Sequence, residues 1–422
     1  MRHDFERSRL LRHHQGIPAV GCHKMFSTFL RTLFLIVIAP GVLTAQAPTH
    51  QEASSAAVAR TLRQMQTIKL EDDLGYTVPP AAIPLLTQVK HQLRDLFLTT
   101  VNDLGAGANA QNVKAAVLGR LQTAGVAVPF TNPNDSFPYG SLVELAVEQP
   151  PQHPDLLLFS PRLGIACGDD SPLYLFQKSG NRWRLLIAVE SNGYEEVKSA
   201  LGELQYRVSP PDALGNWFLV YAHDSPWCTS NWNGIHYAVL RPGPDPYAPV
   251  KVFTGEHGYY RGSDFGITLR AGADSFRLDV DGSYNIYPDR LVRRHTLNYK
   301  VSDNQVTRMN PLAHSPGGFV DEWIAMEWSE AVNFSTKPDR DAQVWHEKLH
   351  NTNTEKELLF VQLCPGGKKW QVALTLADNA KVIATVAESP TGYLLAGVAR
   401  TRPPGCAGAD QAPAEENLQA PQ

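Results

Sequence analysis

The chain has 422 residues, a formal net charge of −4 and 43% hydrophobic residues, enough apolar material for a sizeable core. The slight acidic excess provides no basic field for nucleic acid, and no polybasic block marks a surface for anionic lipid. This length favours two domains, or one large β domain with a helical appendage.

Residues 1–47 have the order of a secretory signal peptide. Basic residues precede an apolar run at 33–39, which is too short to span a membrane well, and small residues at 45–47 offer a cleavage site. Met25 is an alternative start, because it gives a leader of ordinary length. Pro48 follows the cleavage site directly, which leaves an uncleaved, membrane-tethered form as an alternative. We expect a periplasmic or secreted protein, attached to a membrane only if the leader is retained.

Four cysteines follow the leader, an even number for an oxidising compartment. They allow three pairings. The two that close local loops are favoured, joining Cys167 to Cys228 and Cys364 to Cys406.

The segment 48–128 has helical periodicity. Apolar residues recur at three- and four-residue spacing from 85 to 104, and Pro84 suits the first turn of that helix. A second helix is expected to end at Gly125 with a left-handed cap. The segment is therefore predicted to contain an antiparallel helical pair, followed by a turn-rich linker.

From 140 to 312 the hydrophobic period changes to two, which indicates a β-rich domain. Short strands joined by tight turns favour antiparallel hairpins over parallel crossovers. No fixed repeat of the kind that propeller blades show is found. The predicted fold class is α+β and predominantly antiparallel β, sandwich-like or with paired sheets. Strands are expected at 142–147, 156–159, 173–177, 183–189, 217–222, 235–240, 250–253, 267–270 and 276–280.

The segment 313–402 is predicted to contain one helix at 318–334, a second at 341–350 and then antiparallel strands. Residues 403–422 are disordered by composition. The four strands are expected at 358–363, 370–376, 382–387 and 393–399.

Residues 346–350 read His-Glu-Lys-Leu-His, which matches the H-E-x-x-H motif. The motif resembles that of zincin metallopeptidases. The resemblance implies that His346 and His350 bind zinc and that Glu347 acts as the catalytic base toward the zinc-bound water. The longer metzincin pattern is not met, since Lys356 stands where its third His is needed. The alternative is a solvated amphipathic helix without metal.

Aromatic residues crowd the segment 217–260, together with His223 and Asp224. Rings beside carboxylates and imidazoles are typical of a sugar- or small-ligand-binding cleft. The alternative is that these rings face the β core. Trp227 and Trp232 lie in or beside a predicted loop, and they are the strongest ligand-binding candidates.

The favoured interpretation is an exported, non-catalytic protein that binds a glycan, another ligand or an envelope protein and needs no cofactor. The alternative is a zinc-dependent hydrolase that uses the motif at 346–350. A glycan-acting enzyme on the aromatic segment is a third hypothesis, with Asp224 and Glu256 as its carboxylates.

Overall fold

The protein is described from a computed structural model. The predicted leader, the predicted linker and nearly all of the predicted tail lie outside the described residues. The structure describes residues 50–68, 78–128, 139–165, 168–191, 193–194, 200–226, 232–260, 266–282, 293–309, 313, 315–350, 357–376, 379–390, 392–401 and 406.

Three described α-helices precede the first sheet; the second and third cover the segments of the predicted pair, and the first is additional. Gly125 has a φ of +85° and ends the third helix, with its N–H and that of Val126 bonded to carbonyls of the last turn. Among the described residues, no helix has the length and apolarity to cross a lipid bilayer. The helices are α1 (His50–Gln66), α2 (Ala82–Leu104) and α3 (Ala110–Thr123).

Two sheets follow, and each is an antiparallel meander. The first, sheet A, has strand order β1-β2-β4-β5, with the short β3 paired to β2. The second, sheet B, runs in order from β6 to β9. The strands are β1 (Leu142–Glu148), β2 (Leu156–Ile165), β3 (Gly168–Asp170), β4 (Leu173–Ser179), β5 (Arg182–Val189), β6 (Leu204–Val208), β7 (Leu219–Asp224), β8 (Trp232–Arg241) and β9 (Val250–Tyr260).

Two further four-stranded meanders complete the described strands, and they are called sheet C and sheet D. The predicted fold class, α+β with mainly antiparallel strands, is therefore confirmed. Sheet C contains β10 (Gly266–Ala271), β11 (Ser275–Gly282), β12 (Arg293–Ser302) and β13 (Gln305–Met309), and sheet D contains β14 (Glu357–Leu363), β15 (Lys369–Thr375), β16 (Lys381–Ser389) and β17 (Gly392–Ala399).

Consecutive layers pack face to face. The ring of Phe97 on α2 stacks on Phe159 of sheet A with centroids 4.7 Å apart, so the helices cover one face of that sheet. The other face of sheet A shares a core with sheet B, and sheet B shares its second core with sheet C. Four-stranded meanders in succession are the units of β-propellers. Their first strands begin at 142, 204, 266 and 357, so the first three meanders start 62 residues apart and the fourth starts 91 residues after the third.

Helices α4 (Pro316–Ala325), α5 (Trp328–Ala331) and α6 (Arg340–His350) precede sheet D, and α4 and α6 contribute to its core. The single helix predicted at 318–334 is wrong, because the chain becomes extended at Met326 and Glu327 before it turns again. The reason lies in α6, which binds the carbonyl end of α4.

The predicted disulfide between Cys364, which directly follows β14 of sheet D, and Cys406 is confirmed. Cys167 and Cys228 lie outside the described residues, so their pairing stays a prediction. On β15 of the same sheet, Gln371 is fully buried, and neither polar atom of its side chain has a hydrogen-bond partner within the described part of the chain.

Candidate functional site

A polar groove of about 460 Å³ lies between sheet A and sheet B, where β1 and β2 face β6. Its volume is in the range of small-molecule sites, about 300–1,000 Å³. We call it the inter-sheet groove. Its polar lining consists of Glu144, Glu148, Ser160, Arg162, Ser171, Glu203, Gln205, Tyr206 and Arg207.

The charged side chains of the groove are held by one another. Arg162 donates to Glu144 at 3.2 Å and also to Asp169, just behind the groove. Burial lowers the pKa of Arg162. The hydrogen bonds and charges of Glu144 and Asp169 raise the pKa by more than burial lowers it, so the net shift is upward. The Tyr206 hydroxyl donates to Glu148 at 3.2 Å, and burial together with that carboxylate raises the Tyr206 pKa. The groove is thus pre-organised.

Ser171 differs from the other lining residues. It is 1% exposed, and its Oγ has no hydrogen-bond partner among the residues that the structure describes. A buried hydroxyl without a partner costs about 1–3 kcal/mol, so such groups require an explanation. A hydroxyl that lines a groove obtains its partner when a ligand enters.

A buried ion pair holds the position of Ser171. Lys90 on α2 lies 3.3 Å from the carboxylate of Asp170, the residue before Ser171, and both side chains are almost completely buried. The Lys90 ammonium also donates to the Ser191 carbonyl at 2.7 Å and to the Tyr194 hydroxyl at 2.5 Å. The Asp170 carboxylate accepts from both of these residues' hydroxyls. The pair therefore fixes α2 and the chain after β5 behind the groove.

Hydrogen bonds from Asp170 and Ser171 extend this network to the β6 wall of the groove. The Leu201 N–H donates to Asp170, and the Leu201 carbonyl accepts from the Ser171 N–H at 2.8 Å. The Glu203 N–H then donates to the carboxylate of Asp224 at 2.6 Å. Between them, Gly202 lies so close to Asp224 that an added Cβ would be 2.2 Å from Oδ1, so no larger residue fits.

Two predicted ligand-binding residues lie behind this wall. Asp224 is 3% exposed and positions the start of β6 through Glu203. His223 is buried, donates from Nδ1 to the Asp224 carbonyl at 2.8 Å, and stacks on His236. Burial lowers the pKa of His223 to about 4, and the nearby His236 adds to this, so the ring is neutral near pH 7. Neither residue lines the groove.

The other two candidates are not described at their side chains. Trp227 lies outside the described residues, and Trp232 is described only as the first residue of β8. Their binding role stays a prediction. Among the other aromatic residues of this segment, Phe218 and Tyr237 belong to the core between sheets B and C, as the alternative interpretation expects.

The histidines of the H-E-x-x-H motif bind the C-terminal end of α4. His346 donates from Nε2 to the Trp323 carbonyl at 3.1 Å, and His350 donates from Nδ1 to the Ile324 carbonyl at 2.8 Å. The last carbonyls of a helix have no partner within it, and two imidazoles one turn apart satisfy two of them. Burial lowers the pKa of His346, with a further contribution from His350. This favours the neutral donor.

The residues predicted to form a zinc site make other contacts in the structure. Each imidazole directs one ring nitrogen at a carbonyl, and the predicted base Glu347 is exposed and accepts from Gln343 at 2.8 Å. Across the described ranges, no group of three His, Cys, Asp or Glu side chains is arranged to hold a metal ion. Zinc binding stays a prediction of the motif alone.

No model of a protein family matches the chain, and no curated protein matches it. Among solved structures, it is similar to an α-L-arabinanase of Penicillium chrysogenum complexed with arabinobiose, with a TM-score of 0.26 and 12% identity over 63% of this chain and 65% of that one. It is also similar to an α-L-arabinofuranosidase of Fusarium graminearum in complex with arabinobiose, with a TM-score of 0.25 and 8% identity over 57% and 62% of the two chains. The chain thus spans less than two thirds of either structure. Similarity at this level establishes neither a shared fold nor a shared ligand.

Proposed function

We propose that this is an exported protein that binds a glycan in the inter-sheet groove without transforming it. The observation that carries the proposal is Ser171, a lining residue of the groove whose buried Oγ has no partner among the described residues. A sugar hydroxyl both donates and accepts, so it supplies the bond that this serine lacks.

The charges of the groove favour a neutral ligand. Three glutamates and two arginines line it, and Arg162 is already bonded to two carboxylates. A phosphate or carboxylate ligand would meet repulsion from the glutamates. An apolar ligand would find only Ala146 and Leu204 as apolar lining residues. A neutral molecule with many hydroxyls matches this mixture of donors and acceptors.

The volume of the groove favours a small ligand over a folded partner protein. A concave site of this size takes a small molecule or part of a chain, whereas a folded partner needs an interface of roughly 800 Å² on each side. The groove therefore favours a glycan over an envelope protein. The Cys364–Cys406 disulfide supports an extracytoplasmic place for the protein, because such bonds persist in oxidising compartments.

The proposal is tested by calorimetric titration with a panel of neutral oligosaccharides that includes arabinobiose, on wild-type protein and on Ser171→Ala and Glu148→Gln. Each substitution is expected to weaken binding about three- to tenfold, the effect of one lost hydrogen bond. Ser171→Ala is also expected to leave the free energy of unfolding unchanged or higher, because no protein partner is lost. If Ser171 served only the fold, Ser171→Ala would lower the free energy of unfolding and leave binding unchanged.

Glu388→Gln provides the matched control, because Glu388 is an exposed glutamate on β16 of sheet D that does not line the groove. It is expected to bind the panel as the wild type does. Unchanged affinity in both groove variants would overturn the proposal, and release of shorter sugars would replace binding with catalysis.

A further inference from the structure

A second cavity, of about 270 Å³, lies on the other side of sheet B, where β9 meets β12 and β13 of sheet C and the turn at 332–334. It shares no lining residue with the inter-sheet groove. We call it the outer cavity.

The apolar wall of the outer cavity is rigid. It is formed by Phe253, Tyr299 and Phe334. The rings of Phe253 and Tyr299 lie 5.2 Å apart, and Tyr299 also stacks on Phe276 at 4.7 Å. The hydroxyls of Tyr299 and Tyr237 are 2.7 Å apart. Rings fixed in this way present an apolar face without an ordering cost.

The charge of the cavity disfavours an anionic ligand. Arg308 lines the cavity, its side chain is 3% exposed, and it donates to Glu322 and, at 3.4 Å, to Glu330. Two carboxylates beside one guanidinium leave a formal charge of −1, which repels an anion.

The rim supplies neutral hydrogen-bonding groups. Thr307, Ser329 and Asn333 line the cavity and are exposed, and the Asn333 amide donates to the Ser329 carbonyl at 3.4 Å. An aromatic wall with hydroxyl and amide groups at its edge suits a ring that has one apolar face and a hydroxylated edge.

We propose that the outer cavity is a second binding site, for one neutral sugar residue, separate from the inter-sheet groove. The protein then holds two positions on a glycan, and binding at the second becomes intramolecular once the first is occupied. Affinity for a polymer that spans both sites is expected to exceed that for a short oligosaccharide by roughly a hundred- to ten-thousandfold.

The experiment blocks each site in turn with a bulky side chain and measures how many ligands bind per chain. Asn333→Trp places a bulky ring at the rim of the outer cavity, and Ala146→Trp does so in the inter-sheet groove. Titration calorimetry with the same oligosaccharide panel is expected to give two sites per wild-type chain and one site in each single variant. A chain that combines Asn333→Trp with Ala146→Trp is expected to have none. The double variant Thr307→Ala/Asn333→Ala adds no bulk, and it is expected to weaken the outer site about three- to tenfold.

The outcomes separate the two proposals. One site in the wild type that Asn333→Trp does not affect overturns the outer site and leaves the groove standing. Binding that Asn333→Trp abolishes and Ala146→Trp leaves intact supports the outer site and overturns the groove. A folded wild-type protein that binds none of the probes overturns both. Unfolding midpoints of all variants identify any loss caused by misfolding.

Discussion

The α6 motif and the inter-sheet groove both contain polar side chains, but these side chains differ in whether the protein itself supplies their hydrogen-bond partners. In α6, each histidine satisfies a carbonyl at the end of α4, and the glutamate bonds its own helix. In the groove, a buried serine hydroxyl lacks a partner within the described part of the chain. Residue type alone therefore does not identify a binding site. An uncompensated polar atom that faces a cavity is the stronger indication.

The largest loss of stability is expected at the ion pair between Lys90 and Asp170, behind the inter-sheet groove. Lys90→Met leaves the Asp170 carboxylate buried without its cation, which costs about 3–5 kcal/mol of unfolding free energy. Urea denaturation measures the loss. Lys90→Met/Asp170→Asn removes the charge as well and is expected to recover part of it. A single variant as stable as the wild type would mean that this ion pair does not hold the groove.

A pH effect of about 3 kcal/mol is expected at His223. Its folded pKa of about 4 lies below its ordinary value of 6.5, so the unfolded chain binds the extra proton. This contribution to stability is complete above pH 6.5 and is lost as the pH falls toward 4. His223→Gln is expected to flatten the dependence in that window. Denaturation at half-unit steps measures it, and identical slopes would contradict the burial of a neutral ring.

On the α6 side, His346→Ala is expected to cost about 1–3 kcal/mol, because it leaves the buried Trp323 carbonyl without its donor. A chelator is expected to change nothing in the wild type. The matched control is Glu347→Gln, an exposed change one residue away, which is expected to shift stability by less than about 0.5 kcal/mol. Stoichiometric zinc in the purified protein, with stability lost to a chelator, would reverse this interpretation and restore the hydrolase alternative.

The smallest effect tests whether every unpartnered polar atom indicates a site. Gln371 lines none of the cavities described above, so Gln371→Met is expected to be neutral or to stabilise the fold by up to about 1 kcal/mol. In contrast, Gln177→Met removes a bond of 3.1 Å to Asp155 and is expected to destabilise. Thermal melts compare the two. Marked destabilisation by Gln371→Met would show a bonding role that the structure does not contain.

Most of the fold followed from the sequence, because local periodicity determines it. All thirteen expected strands lie within strands of the structure or overlap them. β6 was missed although Leu204, Tyr206 and Val208 alternate with polar residues, so the signal was present but short. β13 was missed because it is an edge strand without a fully buried residue. The break after α4 was not predictable locally, since it depends on α6.

The site followed from the sequence only in part. His223 and Asp224 were predicted to bind ligand; they lie behind the wall of the groove, and their binding role stays a prediction. Ser171 was missed, because nothing in its local sequence shows that its hydroxyl lacks a partner. The groove joins β1, β2 and β6, and such distant pairing has no periodic signature.

The helical layer on sheet A limits how far the layers extend. A face-to-face series of meanders exposes an apolar surface at its end, which invites another sheet or a second molecule, and repeat proteins need a terminal cap for this reason. Here α2 places Phe97 and its apolar neighbours on that surface, and the buried ammonium of Lys90 fastens them to it. Loss of the first three helices would therefore expose an apolar surface that favours self-association, and it would also remove the ion pair behind the groove.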